Sequence, residues 1–259
     1  MDIDGTRALV TGGGGGLGRH ISLALARAGA DVAVTWLSRD GEARKVCAEI
    51  EALGRRAMAV QMDITDAAAI ETAVRTVAEA WHGLDILVNN AGRGRPTLPG
   101  EDSPRVVPFG DIAALTPELY DHLMAINMRG PFLAARAAAP WLRASGRGRI
   151  VNIGSTIGFS PRDAGLSFAM AKAGAIPLTR YLAATLAPEV LVNCVAPGLI
   201  EGTGLTSAAE QTYIDSWRDK AILNRTTAPE DVAAQVLALV QSTSTTGQTV
   251  VVDGGISFN

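Results

Sequence analysis

A chain of 259 residues, 47% apolar and 19% charged, is long enough to bury a sizeable core. Its net charge of −3 gives no electrostatic basis for binding nucleic acid or an anionic membrane, and its only thiols, Cys47 and Cys194, exclude a disulfide scaffold. The N-terminus MDIDGTRALV has no basic segment followed by an apolar run. No stretch approaches the ~18 uninterrupted apolar residues of a membrane span, so a soluble, cytoplasmic protein without a signal peptide is expected.

In chain order, short β-rich runs alternate with helical patterns. The strands are expected at residues 7–11, 31–35, 57–62, 86–89, 149–153, 190–195 and 249–252. Several are apolar without alternation, as in parallel strands covered on both faces. After the first run, Leu17, Ile21, Ala24, Leu25 and Ala28 fall at helical spacing, and Gly29 sits where a C-terminal cap belongs. Residues 42–53 closed by Gly54, and 65–82 closed by Gly83, repeat the pattern. Thr116-Pro117-Glu118 reads as N-cap, first-turn proline and dipole-compensating acid of a long helix. Such βαβ repetition predicts one α/β domain over 1–259, a doubly wound parallel β-sheet flanked by helices on both faces. The segment 93–110 interrupts it with four prolines, three glycines and no periodicity, and reads as an inserted loop or lid. A tolerated surface insertion is an equally open reading.

Thr11–Gly18, TGGGGGLG, directly follows the first strand and opens the first helix. A phosphate needs close backbone approach and the free N–H groups of a helix N-terminus, and side chains would block both. The placement of Gly12, Gly14, Gly15, Gly16, Leu17 and Gly18 between strand and helix therefore indicates a dinucleotide site. The second strand ends Val34-Thr35-Trp36-Leu37-Ser38-Arg39, with no carboxylate at its tip to bind a ribose 2′-hydroxyl. Ser38 and Arg39 suit a 2′-phosphate, which favours NADP(H) over NAD(H). The plainer reading of Arg39 is a solvated residue at a helix start.

The turn resembles the TGxxxGxG signature of the short-chain dehydrogenase/reductase family, and further likenesses follow across residues 5–255. Asn89-Asn90-Ala91-Gly92 matches the family's NNAG after the fourth strand. Asp63, with Ile64 after it, matches the residue that contacts the adenine ring. Asn127 in NMRGPF, Ser155 in VNIGS and Lys172 fall in family order and spacing, and Pro197-Gly198-Leu199-Ile200 resembles the segment that faces the nicotinamide. Gly202 stands where the family's carboxamide-binding threonine is usual, with Thr203 shifted by one. Residues 199–220 resemble the substrate-binding segment, with Tyr213 and Trp217 as apolar contacts. The resemblance implies a Rossmann fold, a nicotinamide cofactor, a catalytic set of Asn127, Ser155, residue 168 and Lys172, and a homo-oligomer, tetramer or dimer. The runs 132–140 and the helix carrying residue 168 supply candidate faces for it.

One position departs from the pattern. The family's YxxxK has tyrosine thirteen residues after the serine; here Phe168 stands there, and Tyr120, Tyr181 and Tyr213 lie elsewhere. By resemblance, the tyrosine exchanges a proton with the substrate oxygen as hydride moves. The lysine lowers the phenol's pKa and holds the nicotinamide ribose, the serine holds the substrate oxygen, and the asparagine helps hold a water in the proton path. Phenylalanine fills that volume without a proton, and a positioned acid–base group is worth ~10²–10⁴ in rate. Three readings stay open: a Tyr-to-Phe variant of a working reductase; a native phenylalanine in an enzyme reducing an activated C=C or C=N bond; and a non-redox NADP-binding protein. The substrate expected is a small or medium apolar carbonyl, alcohol or imine. Arg93, Arg95 and Arg105 read as solvated loop charges, with an anionic substrate or carrier as the alternative. His20, His82 and His122 have no metal-like spacing, so no metal is expected.

Overall fold

The apolar runs form seven strands: β1 (Arg7–Val10), β2 (Asp31–Trp36), β3 (Ala57–Gln61), β4 (Ile86–Asn89), β5 (Gly148–Ile153), β6 (Val190–Pro197) and β7 (Thr249–Val252). The computed structural model describes residues 1–95, 98, 101, 111–160, 165–203, 206 and 209–258. All seven strands pair in parallel, in the order β3-β2-β1-β4-β5-β6-β7. After β3 the chain crosses back to the far side of β1, so β1 and β4 become neighbours. Their diverging C-terminal ends open the crevice where ligands bind in doubly wound sheets.

Alternate residues of each strand face opposite layers. Ala8, Val10, Val32, Val34, Ile86 and Val88 join a core with helices α1 (Gly16–Arg27), α2 (Asp40–Ala52) and α8 (Pro229–Gln241). Leu9, Ala33, Leu87 and Ile150 join a second core with α3 (Ala67–Ala80), α5 (Gly130–Ala144) and α6 (Leu166–Leu186). Helices α4 (Pro117–Met124) and α7 (Gln211–Lys220) complete the set of described helices. Both cores are mainly aliphatic, with Trp81 the one buried aromatic among their described members, so two-sided burial rather than aromatic mass holds the sheet. No helix among the described residues is long and apolar enough to cross a membrane.

Helix α2 begins at Asp40 rather than at residue 42, and two further helices differ from the sequence expectation. Helix α3 begins at Ala67 rather than near residue 65, because the Asp66 carboxylate accepts from Ala68 and Ala69 N–H while the Thr65 hydroxyl is engaged by Asp63. The long helix opened by Thr116, whose Oγ1 accepts from Leu119 N–H at 3.3 Å, is interrupted by a π-turn at Ala125–Arg129. Pro131 follows it, and without an N–H it cannot return an α-helical bond to the Asn127 carbonyl. Of the segment 93–110, only residues 93–95, 98 and 101 are described; Arg105 lies outside them.

Candidate active site

The glycine turn sits at the mouth of the crevice. Gly12 has φ +63°, a left-handed conformation that glycine adopts without steric cost. A Cβ on Gly18 would lie 2.7 Å from Asn90 Nδ2, so this contact also demands glycine. Gly15 is the N-cap residue of α1; no side chain caps the helix, and its first turn holds no acid. No residue of α1 therefore places an anion on the leading N–H groups of the helix, which suits them to receive a pyrophosphate.

The segment after β4 ties this turn across the switch point. Asn90 Nδ2 donates to the carbonyls of Thr11 (2.9 Å) and Gly12 (3.2 Å). Thr11 Oγ1 accepts from the N–H groups of Asn90 (3.0 Å) and Ala91 (2.9 Å). Gly12 N–H donates to Thr35 Oγ1 at 3.0 Å, fixing the turn to β2 as well. Behind it, Asn89 Nδ2 donates to Asn152 Oδ1 at 2.9 Å and to the Pro131 carbonyl at 3.1 Å.

Two of the expected catalytic side chains, Asn127 and Lys172, meet beside Gly92. A Cβ there would lie 2.9 Å from Asn127 Oδ1 and 3.4 Å from Lys172 Nζ, so a larger residue would press on Asn127. Asn127, buried in the π-turn, donates to the carbonyls of Arg93 (2.8 Å) and Leu123 (3.0 Å) and accepts from Arg93 N–H (3.1 Å). Phe168 and Lys172 stand one turn apart on α6, both buried, with Nζ 5.7 Å from the ring centroid. Lys172 Nζ donates to the Ile153 carbonyl at 2.8 Å, and no described carboxylate pairs with it. Burial pushes its pKa down to about 8, against a smaller upward pull from the Cys194 thiol. Ser155 joins this group through the 3₁₀ turn Thr156–Gly158, which it caps by accepting from Ile157 N–H at 3.3 Å. That turn rests on α6 so closely that a Cβ on Gly158 would come 2.9 Å from the Lys172 carbonyl.

The remaining expected residues line the same end of the sheet. Thr156 Oγ1 donates to the Pro197 carbonyl at 3.3 Å, and a Cβ on Gly198 would lie 2.8 Å from Thr227 Oγ1. Asp63 Oδ1 accepts from Thr65 N–H (2.8 Å) and Thr65 Oγ1 (2.7 Å), and Ile64 beside it is buried. Ser38 is exposed, and Arg39 is the N-cap residue of α2 with Nη1 3.4 Å from Glu42 Oε2. Thr203 Oγ1 donates to the Ile200 carbonyl at 3.2 Å. Thr206, which the sequence did not single out, donates to the same carbonyl at 2.7 Å. Tyr213 and Trp217 form an edge-on pair on α7 with centroids 6.3 Å apart. The histidines stand apart: His20 faces Glu230, His82 follows the C-cap of α3 with φ +57°, and His122 lies in α4.

The arrangement is a polar, lysine-containing cleft beside an anion-receptive helix end. Comparison with known proteins agrees with it. A family model described as Enoyl-(Acyl carrier protein) reductase matches residues 13–257. A short-chain dehydrogenase/reductase, eriH of Hericium erinaceus, is 35% identical over 96% of both chains. The 3-oxoacyl-(acyl-carrier-protein) reductase FabG of Aquifex aeolicus (strain VF5) is 35% identical over 99% of both. Among solved structures, a short chain dehydrogenase from Burkholderia cenocepacia J2315, in complex with NADP, superposes with a TM-score of 0.87 at 38% identity over 99% of both chains.

Proposed function

Because this chain belongs to the short-chain dehydrogenase/reductase family of NAD(P)-dependent oxidoreductases, we propose that it reduces a small or medium apolar carbonyl or imine with NADP(H), or oxidises the corresponding alcohol. The observation that carries the cofactor part is the uncapped N-terminus of α1 at the tied mouth of the crevice. On this reading Gly12, Gly14, Gly15, Gly16, Leu17 and Gly18 receive the pyrophosphate. Asp63 and Ile64 border the adenine, and Ser38 and Arg39 take the 2′-phosphate. Asn90, Ala91 and Gly92 form the crevice wall, Lys172 holds the nicotinamide ribose, and Pro197, Gly198, Ile200 and Thr203 border the nicotinamide. When bound, the dinucleotide supplies the hydride.

The chain's own groups position the substrate. Ser155 Oγ has its hydrogen free to donate to a substrate oxygen or nitrogen, since its one described bond is an accepted one. Asn127 locks the backbone of Arg93 beside the cleft. Phe168 stands where the family's tyrosine exchanges the proton, and its ring has none to give. A substrate that is already protonated, such as an iminium, or an activated C=C bond needs less from that position. This keeps imine and alkene reduction beside carbonyl reduction as the second reading, favoured by the buried Phe168 ring.

Titration with NADPH and NADH by fluorescence, followed by NADPH oxidation with a panel of ketones, cyclic imines and enones, tests the proposal. We expect saturable NADPH binding and turnover of at least one substrate class. Absence of binding by either nucleotide would refute it. We also propose a homo-oligomer, dimer or tetramer, through the exposed Phe132 on α5 and the exposed Leu166, Met170 and Tyr181 on α6. Sedimentation velocity showing a monomer at micromolar concentration would refute that.

A further inference from the structure

We propose that Glu42 governs nucleotide selectivity, competing with a 2′-phosphate for Arg39 and accepting a hydrogen bond from a bare ribose 2′-hydroxyl. The inference rests on the dinucleotide-binding reading of the glycine turn. Its starting point is the way α2 meets that turn. A Cβ on Gly14 would lie 2.9 Å from the Ala43 Cα, so the first turn of α2 is pressed against the phosphate-binding backbone. One residue earlier on α2, Glu42 extends over the turn: a Cβ on Gly15 would lie 3.1 Å from Glu42 Oε2. The same oxygen is 3.4 Å from Arg39 Nη1.

Two neighbouring arginines are engaged by partners of their own. Arg44 Nε holds Asp40 Oδ2 at 2.7 Å, and Arg19 Nε holds Glu49 Oε1 at 3.2 Å. Arg39 and Glu42 thus form a separate pair, beside the N-terminus of α1 and one helical turn apart. Their side chains are 65% and 50% exposed, and an ion pair this open to solvent is weak. A phosphate on the guanidinium makes shorter, charge-assisted contacts and is the stronger partner. It must still displace the carboxylate, which then remains nearby as a like charge at a distance where water and salt screen only partly. A 2′-hydroxyl imposes neither cost, because it donates to the carboxylate and leaves the pair intact. Glu42 therefore acts against NADPH and in favour of NADH, and Arg39 acts the other way.

The test is equilibrium binding, independent of turnover. Dissociation constants of NADPH, NADH and the fragments 2′,5′-ADP and 5′-AMP are measured for the native chain, Glu42→Gln, Arg39→Ala and the double variant, at low and high salt. We expect Glu42→Gln to tighten NADPH and 2′,5′-ADP by about 3- to 10-fold and to leave NADH and 5′-AMP equal or weaker. The gain should shrink at high salt and be reduced in the Arg39→Ala background. Thermal melting of each variant checks the fold, which an exposed Glu-to-Gln change leaves intact. Unchanged or weaker NADPH binding by Glu42→Gln, with 2′,5′-ADP still bound, overturns the Glu42 role and spares the cofactor reading. Failure of the native chain to bind any of the four ligands removes both.

Discussion

Lys172 Nζ lies 5.7 Å from the Phe168 ring centroid and donates to the Ile153 carbonyl at 2.8 Å. A buried ammonium that faces an aromatic ring and a carbonyl, with no described carboxylate, is held by weaker partners than water would offer. Its cost to the fold and its use to the cleft can be separated by experiment.

The pKa of Lys172, about 8 against an ordinary 10.5, means that the unfolded chain holds this proton more tightly than the folded one. The nucleotide-free protein should therefore gain stability as pH rises from about 8 toward 10.5, with roughly 3 kcal/mol at stake in full. Replacement of Lys172 by Met should raise the melting temperature at pH 7 and flatten that pH dependence, while weakening NADPH binding. A lower melting temperature together with unchanged nucleotide affinity would contradict both halves of the account.

A different charge holds the opposite end of the sheet. Burial raises the pKa of Asp85, but the bonds from Arg7 Nε (2.7 Å), Arg7 N–H (2.9 Å) and Arg147 Nε (3.0 Å) outweigh it, and the pKa is lowered overall. Its contribution is present above the ordinary carboxylate pKa and is lost as pH falls through the folded value. Asp85→Asn should cost about 3–5 kcal/mol in urea unfolding at pH 7, since it leaves two arginines without their shared partner. The deficit should narrow at acid pH. A cost that stays constant with pH would mean that shape rather than charge is at work.

Gly18→Ala tests the cofactor turn. The added methyl would collide with Asn90 Nδ2 and loosen the strut between the two halves of the crevice. NADPH affinity should fall by at least about tenfold, the scale of a kilocalorie or two at a close contact. Far-ultraviolet circular dichroism should remain unchanged. Undiminished affinity would show that the turn does not receive the phosphates.

The sheet was readable in the sequence because parallel strands buried on both faces are unbroken apolar runs, as at Ile86–Asn89. Thr116 was readable as a cap because its hydroxyl has no competitor, whereas Thr65 has one in Asp63, and Asp66 caps α3 instead. The π-turn holding Asn127 was hidden, since Pro131 alone marks a helix start as readily as an irregularity. The resemblance to the family's motif is what pointed Ser155, Phe168 and Lys172 to a common cleft, but the clasp between Asn127 and Arg93 is a tertiary contact with no local signature. Glu42 was invisible for the same reason: it reads as an ordinary first-turn acid until α2 is placed against Gly15.

The central claim is that this cleft is a working short-chain reductase site in which residue 168 limits proton delivery. Phe168 and tyrosine differ by one hydroxyl, and Lys172 is already placed to lower the pKa of a phenol one turn away. The measurement is NADPH-dependent turnover of the same ketones and imines by the native chain and by Phe168→Tyr, with NADPH affinity determined in parallel. Carbonyl reduction should rise by about two orders of magnitude or more, with nucleotide affinity unchanged and imine reduction gaining less. Equal ketone turnover by the two forms, or none by either while NADPH still binds, would contradict the claim.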